Sequence, residues 1–227
     1  MGGFANNAPI VTDGLVFYVD AGNGLSYPGS GGTWGDLVGG NNGTLTNGPT
    51  FDSGNGGSIV FDGVDDKVTI GNVPLLQITE DITILTVVKF ISPYQQYREI
   101  VSKRAADNNR EFEFRLDTDG KLAFLDDNGK KVQNANLTIP LDEIAMAGVT
   151  RNLTTNKIEF FVNSQSDGQV NYSGTVGTST SDVGIGCRAD STFGLNNLNI
   201  YLVQIYNRAL SASEVLQNYN ALKNRFA

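Results

Sequence analysis

Three carboxylates on one stretch of chain have a spacing that could support catalysis. Glu111, Glu113 and Asp117 lie in the segment Glu111-Phe-Glu-Phe-Arg-Leu-Asp117. Alternate side chains of a strand share a face, so we expect Glu111 and Glu113 to lie about 7 Å apart. Two carboxylates that flank a glycosidic bond at such separations can hydrolyse it.

Arg115 favours a different interpretation of the same segment. It lies between Glu113 and Asp117 in the alternation and can pair with both carboxylates. We therefore favour a solvated strand face with pairs of opposite charge. The alternation predicts one buried and one wet face for this strand.

Other catalytic chemistry lacks the residues it needs. The chain contains no histidine and one cysteine. Ser-His-Asp and Cys-His triads, histidine zinc sites and thiolate-only metal sites are therefore excluded. Cys187 lies in the apolar stretch 183–188, which predicts a buried small hydrophobe rather than a reactive thiol. We expect no catalytic residue, no cofactor and no enzymatic activity.

Calcium is the one metal for which the sequence offers a ligand set. Asp62, Asp65 and Asp66 are close together in Asp62-Gly-Val-Asp-Asp66, and carboxylate oxygens suit this cation. The spacing is not that of an EF-hand loop, and Asp-Gly is also a turn dipeptide. We favour the turn and leave Ca²⁺ binding open.

Three aromatic residues, Tyr27, Trp34 and Tyr94, could stack on sugar rings. Trp34 lies in the glycine-rich excursion 20–58, as a residue of an exposed binding loop would. A single Trp in a long loop also serves to anchor the loop to a sheet. We favour the anchor.

Charge and hydropathy restrict the partners. The formal net charge of −8 makes nucleic acid and anionic membranes poor partners. The longest apolar stretch, 82–91, is too short to span a bilayer, and the N-terminus lacks the pattern of a signal peptide. We expect synthesis in a cytoplasm.

The remaining pattern predicts an all-β fold. About ten to twelve short apolar or alternating segments recur without intervening helical periods, which indicates an antiparallel two-sheet sandwich or jelly roll. Segment 82–90 is apolar on both faces, as in a central strand covered twice. Residues 1–12 are expected to form an arm, and 13–227 one domain.

One short helix is predicted at the C-terminal end. Ser211 and Glu214 have the spacing of a capping box, and Leu210 and Val215 that of a hydrophobic staple. Val215, Leu216, Tyr219 and Leu222 are expected to form the apolar face that packs on the sandwich.

Two stretches carry a family resemblance. They are Thr33-Trp-Gly-Asp-Leu-Val-Gly-Gly-Asn-Asn-Gly43 with Ile59-Val-Phe-Asp-Gly-Val-Asp-Asp66, and Ile205-Tyr-Asn-Arg-Ala-Leu-Ser-Ala-Ser-Glu-Val215. Over residues 14–226 the chain resembles the laminin-G-like branch of the concanavalin A-like lectin/glucanase superfamily. The resemblance implies a concanavalin A-like jelly roll.

The resemblance also implies candidate functions. With its Gly14-Leu-Val-Phe-Tyr-Val-Asp-Ala-Gly22 start and Gln217-Asn-Tyr-Asn-Ala-Leu-Lys-Asn-Arg-Phe226 end, the chain resembles domains of tailed-bacteriophage structural proteins. We therefore expect a virion protein that decorates a capsid or sits on a tail. Its expected partners are capsid or tail proteins and a second copy of the chain. The alternative is a lectin-like module that binds surface glycans.

A glucanase-like hydrolase is the third candidate function, but the sequence departs from the pattern of these enzymes. Glucanases of the superfamily carry Glu-x-Asp-x-x-Glu on one strand, whereas the third acid here, Asp117, is displaced by one residue. Val87 occupies a position where relatives often carry Trp. The stretch Leu198-Asn-Ile-Tyr-Leu-Val-Gln204 lacks the acidic pair of many relatives.

Overall fold

Sixteen strands and one α-helix form the chain that the computed structural model describes, residues 8–93, 97–104, 110–126, 131–133, 136–189 and 197–226. The strands form two sheets, and every strand pairing in them is antiparallel. The predicted antiparallel two-sheet sandwich with a short C-terminal helix is confirmed.

Sheet A has eight strands, of which seven follow the order β14-β13-β12-β7-β16-β5-β4 and the eighth, β1, pairs with β16. The long strand β16 pairs with β7 on one side; on the other it pairs with β5 through residues 197–200 and with β1 through 202–206. The strand bounds are β1 Leu15–Asp20, β4 Thr50–Asp52, β5 Ser58–Asp62, β7 Ile82–Phe90, β12 Ile144–Asn152, β13 Lys157–Val162, β14 Gln165–Asn171 and β16 Asn197–Tyr206.

Sheet B also has eight strands, in the order β11-β10-β9-β8-β15-β6-β3-β2. The predicted Asp119-Gly120 turn joins β9 to β10, and Gly120 adopts φ +77° there. The bounds are β2 Thr33–Trp34, β3 Gly43–Thr46, β6 Lys67–Ile70, β8 Arg98–Arg104, β9 Arg110–Leu116, β10 Leu122–Leu125, β11 Lys131–Gln133 and β15 Val183–Ile185.

The main core lies between the two sheets and is built from alternate residues of each strand. Phe112, Phe114 and Leu116 of β9 face Ile84, Val88 and other buried side chains of sheet A in one hydrophobic cluster. Trp34 is fully buried in this cluster, which confirms its predicted role as an anchor. Cys187 is buried, as predicted.

The outer face of sheet A is apolar too, and helix α1, Ala212–Leu222, covers it. Strand β7 therefore contacts apolar groups on both faces, as its sequence predicts. The predicted capping box is present: the Ser211 side chain accepts from the Glu214 amide, and the Glu214 side chain accepts from the Ser211 amide.

The predicted apolar face of α1 is wrong in one position. Leu216 is 46% exposed. The polar Asn218 is buried instead, because Asn218 Oδ1 accepts from the Val11 amide at 2.7 Å and its Nδ2 donates to the Tyr206 hydroxyl at 2.7 Å. A polar residue on the buried side thus joins the helix to both the sheet and the chain before β1.

Residues 8–12, the described part of the predicted arm, run along this helix. Val11 is buried, and its carbonyl accepts from the Tyr206 hydroxyl at 2.9 Å. Gln217 Nε2 donates to the Pro9 carbonyl at 2.8 Å. The division between arm and domain at residue 12 stays a prediction.

Candidate functional site

Glu113 lies at the centre of a cluster of arginines on the outer face of sheet B. Because Phe112 and Phe114 point into the core, the alternation of β9 directs Glu113 to the opposite face. Its carboxylate accepts from Arg104 Nη1 at 2.9 Å, Arg110 Nε at 2.8 Å and Arg115 Nη1 at 2.7 Å. All of these side chains are buried, and we call them the arginine cluster.

Arg115 bridges the two acids that flank it, as the sequence predicts. Its Nε donates to Asp117 Oδ1 at 2.8 Å, and its guanidinium stacks on the Tyr97 ring with 4.1 Å between the Cζ atom and the ring centroid. The predicted wet face is wrong, however, because all seven residues of β9 are buried. Ion pairing replaces the hydration that exposure would have provided.

Glu99 adds a second carboxyl to the cluster. It is fully buried and pairs with Arg188 Nε at 3.2 Å. Burial and the charge of Glu113 raise the pKa of Glu99 to about 8. Burial would also raise the pKa of Glu113, but Arg115 and Arg110 outweigh it and lower that pKa to about 2. One carboxyl is therefore protonated and the other ionised near neutral pH.

Glu111 shares the face of Glu113 but has separate partners. Its carboxylate accepts from the backbone amides of Ile78 and Ser179 and lies 3.8 Å from Lys103 Nζ. The side chain is fully buried. The three acids that could have formed a glycosidase site are thus divided between two buried networks.

A shallow groove of about 370 Å³ is formed by the glycine-rich excursion that follows β1. We call it the glycine groove; it is lined by Ala21, Gly22, Gly24, Tyr27, Pro28, Gly29, Phe51, Ser53, Gly56 and Gly57. None of these residues is charged. The rings of Tyr27 and Phe51 lie 5.4 Å apart at a 47° tilt.

Two glycine segments must approach closely to form this groove. A Cβ at Gly22 would overlap the Gly56 carbonyl oxygen and the Arg225 guanidinium, and one at Gly57 would lie 2.7 Å from the Gly22 Cα. Arg225 closes the contact from behind, because it donates to the Gly56 carbonyl and pairs with Asp20. The glycines therefore decide the shape of the groove.

The three residues predicted to stack on sugars differ in their burial and in whether they line the groove. Trp34 is fully buried and cannot reach a ligand. Tyr27 is 4% exposed, and its hydroxyl donates to the Gly31 carbonyl at 2.9 Å, so it contributes to the groove chiefly as a support for Phe51. Tyr94 lies outside the described residues. Phe51, which is half-buried, was not predicted, since one phenylalanine before a turn carries no signal in sequence.

A second, more polar groove of about 440 Å³ lies beside the start of α1. Its three charged members are already engaged: Lys157 donates to Asn171, Glu159 accepts from Ser166 and Gln169, and Glu214 pairs with Arg208. Binding a ligand here would require breaking these contacts, so the glycine groove is the better candidate.

The three aspartates predicted as calcium ligands do come together. Carboxylate oxygens of Asp62, Asp65 and Asp66 lie within 4.8 Å of one another. Turn contacts also occupy two of them, since Asp62 Oδ1 accepts from the Val64 amide at 2.8 Å and Asp66 Oδ2 from the Asp62 amide at 2.9 Å. Both the turn and the ligand set are therefore compatible with this geometry.

Comparison with known families agrees with the fold. A family model described as the concanavalin A-like lectin/glucanases superfamily matches residues 62–216, more than half of the chain. The chain belongs to this superfamily. No curated protein sequence matches it.

Solved structures share the fold of this superfamily member at low identity. Trypanosoma rangeli sialidase in complex with sialic acid is 14% identical with a TM-score of 0.72, covering 96% of this chain and 34% of that one. The binding domain of Paraclostridial Mosquitocidal Protein 1 is 17% identical with a TM-score of 0.72, covering 93% and 53%. The binding domain of botulinum neurotoxin serotype G is 13% identical with a TM-score of 0.66, covering 90% and 50%.

The superfamily domain thus spans only about a third to a half of the length of these structures. Such likeness shows the fold and no more. Among the described residues, no helix has the length and apolar character needed to cross a membrane.

We predict that Gly22→Ala reshapes the glycine groove and lowers the free energy of unfolding by about 1–3 kcal/mol, because the new Cβ forces backbone apart. Urea denaturation measures the loss. Gly24→Ala is the matched control: its Cβ would meet no atom within 4 Å, so we expect a change below about 0.5 kcal/mol. Equal stability of both variants would contradict the close approach.

We predict a pH-dependent stability that traces to Glu99. The pKa of Glu99 rises from 4.5 in the unfolded chain to about 8 in the fold, so the folded protein keeps a proton that the unfolded chain releases. Stability therefore falls as pH rises through this window. The lowered pKa of Glu113 acts in the opposite direction below about 4.5, where stability is lost as pH falls towards 2.

The Glu99→Gln variant, which mimics the protonated carboxyl, should show a shallower decline between about pH 5 and pH 8 in urea denaturation at several pH values. Glu143→Gln, at an exposed position, is the control and should follow the parent protein. A parallel decline in Glu99→Gln and the parent would contradict the assignment.

Proposed function

We propose that this domain is a non-catalytic, lectin-like module that binds carbohydrate in the glycine groove. The observation that carries the proposal is the composition of that groove, in which the Phe51 ring stands beside glycine backbone and no charged group. Sugar rings present apolar C–H faces and neutral hydroxyls. An aromatic face and backbone amides and carbonyls are matched to both.

The buried carboxylates support a non-catalytic role. A glycosidase needs two carboxyl groups that reach the scissile bond from opposite sides or across a short gap. Here Glu113 is enclosed by arginines, Glu111 is held by backbone amides, and both are fully buried. A substrate would have to dismantle these networks before it met either acid.

A glycan array tests carbohydrate binding. We expect the full chain to bind a defined set of neutral glycans, and Phe51→Ala to bind them at least about tenfold more weakly, a difference of about 1.4 kcal/mol. The array is read with and without added Ca²⁺, because the Asp62 turn stays a candidate ligand set. No hit in either buffer from folded protein would contradict the proposal.

Two further variants guard against a loss caused by misfolding. Gly24→Trp places a ring in the groove from a position whose Cβ meets no atom within 4 Å, so it should block binding without disturbing the fold. Leu25→Ala removes a side chain that is 89% exposed and does not line the groove, so it should bind as the parent does.

We also propose that the domain works on a phage particle, as a capsid decoration or tail appendage. The support is the sequence resemblance of its two ends to domains of tailed-phage structural proteins. Glycan binding and a place on a virion are compatible, because a particle protein can hold a host-surface sugar. Mass spectrometry of purified particles should detect many copies of the chain per virion, and its absence from them would contradict this second proposal.

A further inference from the structure

A lysine, an asparagine and a glutamate meet where the chain leaves sheet B after β6. Lys103 is at the end of β8, and Glu111 is in the neighbouring strand β9. Asn72 is the second residue of the segment that crosses from β6 to β7 and therefore from one sheet to the other. The side chains of Lys103 and Glu111 are fully buried, whereas Asn72 is exposed.

The lysine amine lies against the side-chain amide of the asparagine. Lys103 Nζ is 2.7 Å from Asn72 Oδ1. Since a C=O bond is about 1.23 Å long, Nζ lies within about 3.9 Å of the amide carbon Cγ. This is close to the separation of about 3–3.5 Å from which a nucleophile attacks a carbonyl.

Hydrogen bonds hold both reactants in place. Asn72 Oδ1 also accepts from Gln77 Nε2 at 3.1 Å, and the backbone N–H of Asn72 donates to Asp182 Oδ1 at 2.8 Å. The Gln77 donor polarises the carbonyl of Asn72 and would stabilise negative charge that develops on its oxygen.

Two backbone carbonyls orient the lysine. Nζ is 2.9 Å from the Ser179 oxygen and 3.0 Å from the Ser181 oxygen. A neutral amine has two N–H groups and one lone pair. When the N–H groups donate to these two carbonyls, the remaining direction, which carries the lone pair, is towards Asn72.

We propose that Lys103 and Asn72 join in an intramolecular isopeptide bond, with Glu111 as the proton relay. The Glu111 carboxylate is 3.8 Å from Nζ. Burial lowers the pKa of Lys103 and raises the pKa of Glu111, so the low dielectric favours transfer of the ammonium proton to the carboxylate. The neutral amine is the form that attacks.

The reaction balances without any added reagent. The Nζ–Cγ bond forms, and a proton from Nζ passes through Glu111 to Asn72 Nδ2. The Cγ–Nδ2 bond then breaks, and ammonia leaves through the exposed side of Asn72. The product amide ties the crossing segment to β8, and Glu111 ends with the proton that it took from the lysine ammonium before the attack.

Peptide mass spectrometry tests the bond on the full chain. Trypsin should release a branched peptide that joins residues 68–89 to 99–104, about 17 Da lighter than the sum of its two arms, because acylated Lys103 resists cleavage. Lys223 and Asn220 provide an internal control: their side chains also touch, at 2.8 Å, but both are on the surface, so trypsin should cleave after Lys223.

Three variants separate the bond from a purely structural ion pair. Asn72→Ala and Glu111→Gln should give only linear peptides, whereas Asn72→Asp should still cross-link, with loss of water in place of ammonia. Cleavage of the parent protein after Lys103, with unmodified Asn72 in a linear peptide, would overturn the proposal. Cross-linking that persists undiminished in Glu111→Gln would overturn the relay.

Discussion

Sheet A is apolar on both faces, and the domain depends on helix α1 to cover the outer one. Strands β7 and β16 contribute side chains to the inter-sheet core and to the cluster beneath the helix. Without the cover, this outer face would expose a large apolar surface to water, at a cost of about 25 cal/mol for each Å². The capping box, the buried Asn218 and the chain around Val11 all serve to hold the helix there.

On the outer face of sheet B, charged side chains that pair with one another take the place of an apolar cover. Its outer face carries acids whose burial would be costly if they were alone, and arginines from β8, β9 and the chain after β15 supply the compensation. The consequence is functional. A face that could have offered open carboxylates to a substrate is occupied by its own side chains, and the glycine groove at the edge of the sandwich is left as the better surface for binding.

The C-terminal segment links these features. Phe226 packs edge-on against Tyr201 of sheet A at 5.3 Å between ring centroids, and Arg225 beside it pairs with Asp20 and the Gly56 carbonyl behind the glycine groove. The same few residues thus help to close the apolar cover and to hold the two glycine segments together. The proposed isopeptide bond would act at another sheet-to-sheet crossing, the one between β6 and β7.

Periodicity and capping signals were enough to predict the sandwich, the doubly covered strand β7 and the start of α1, because these depend on local spacing of apolar and polar residues. Strand β8, with two arginines, a lysine and a glutamate in seven residues, was not predicted. The sequence by itself also determined that the chain has no histidine and only one cysteine, which excludes Ser-His-Asp and Cys-His triads and thiolate-only metal sites. Only the tertiary structure decided that the acids of β9 are buried, that Leu216 faces outward and that Asn72 meets Lys103. Alternation did pair Arg115 with its neighbouring acids, but the remaining decisive partners come from distant parts of the chain: Ser179 for Glu111, Val11 for Asn218 and Lys103 for Asn72. Local alternation carries no information about such contacts.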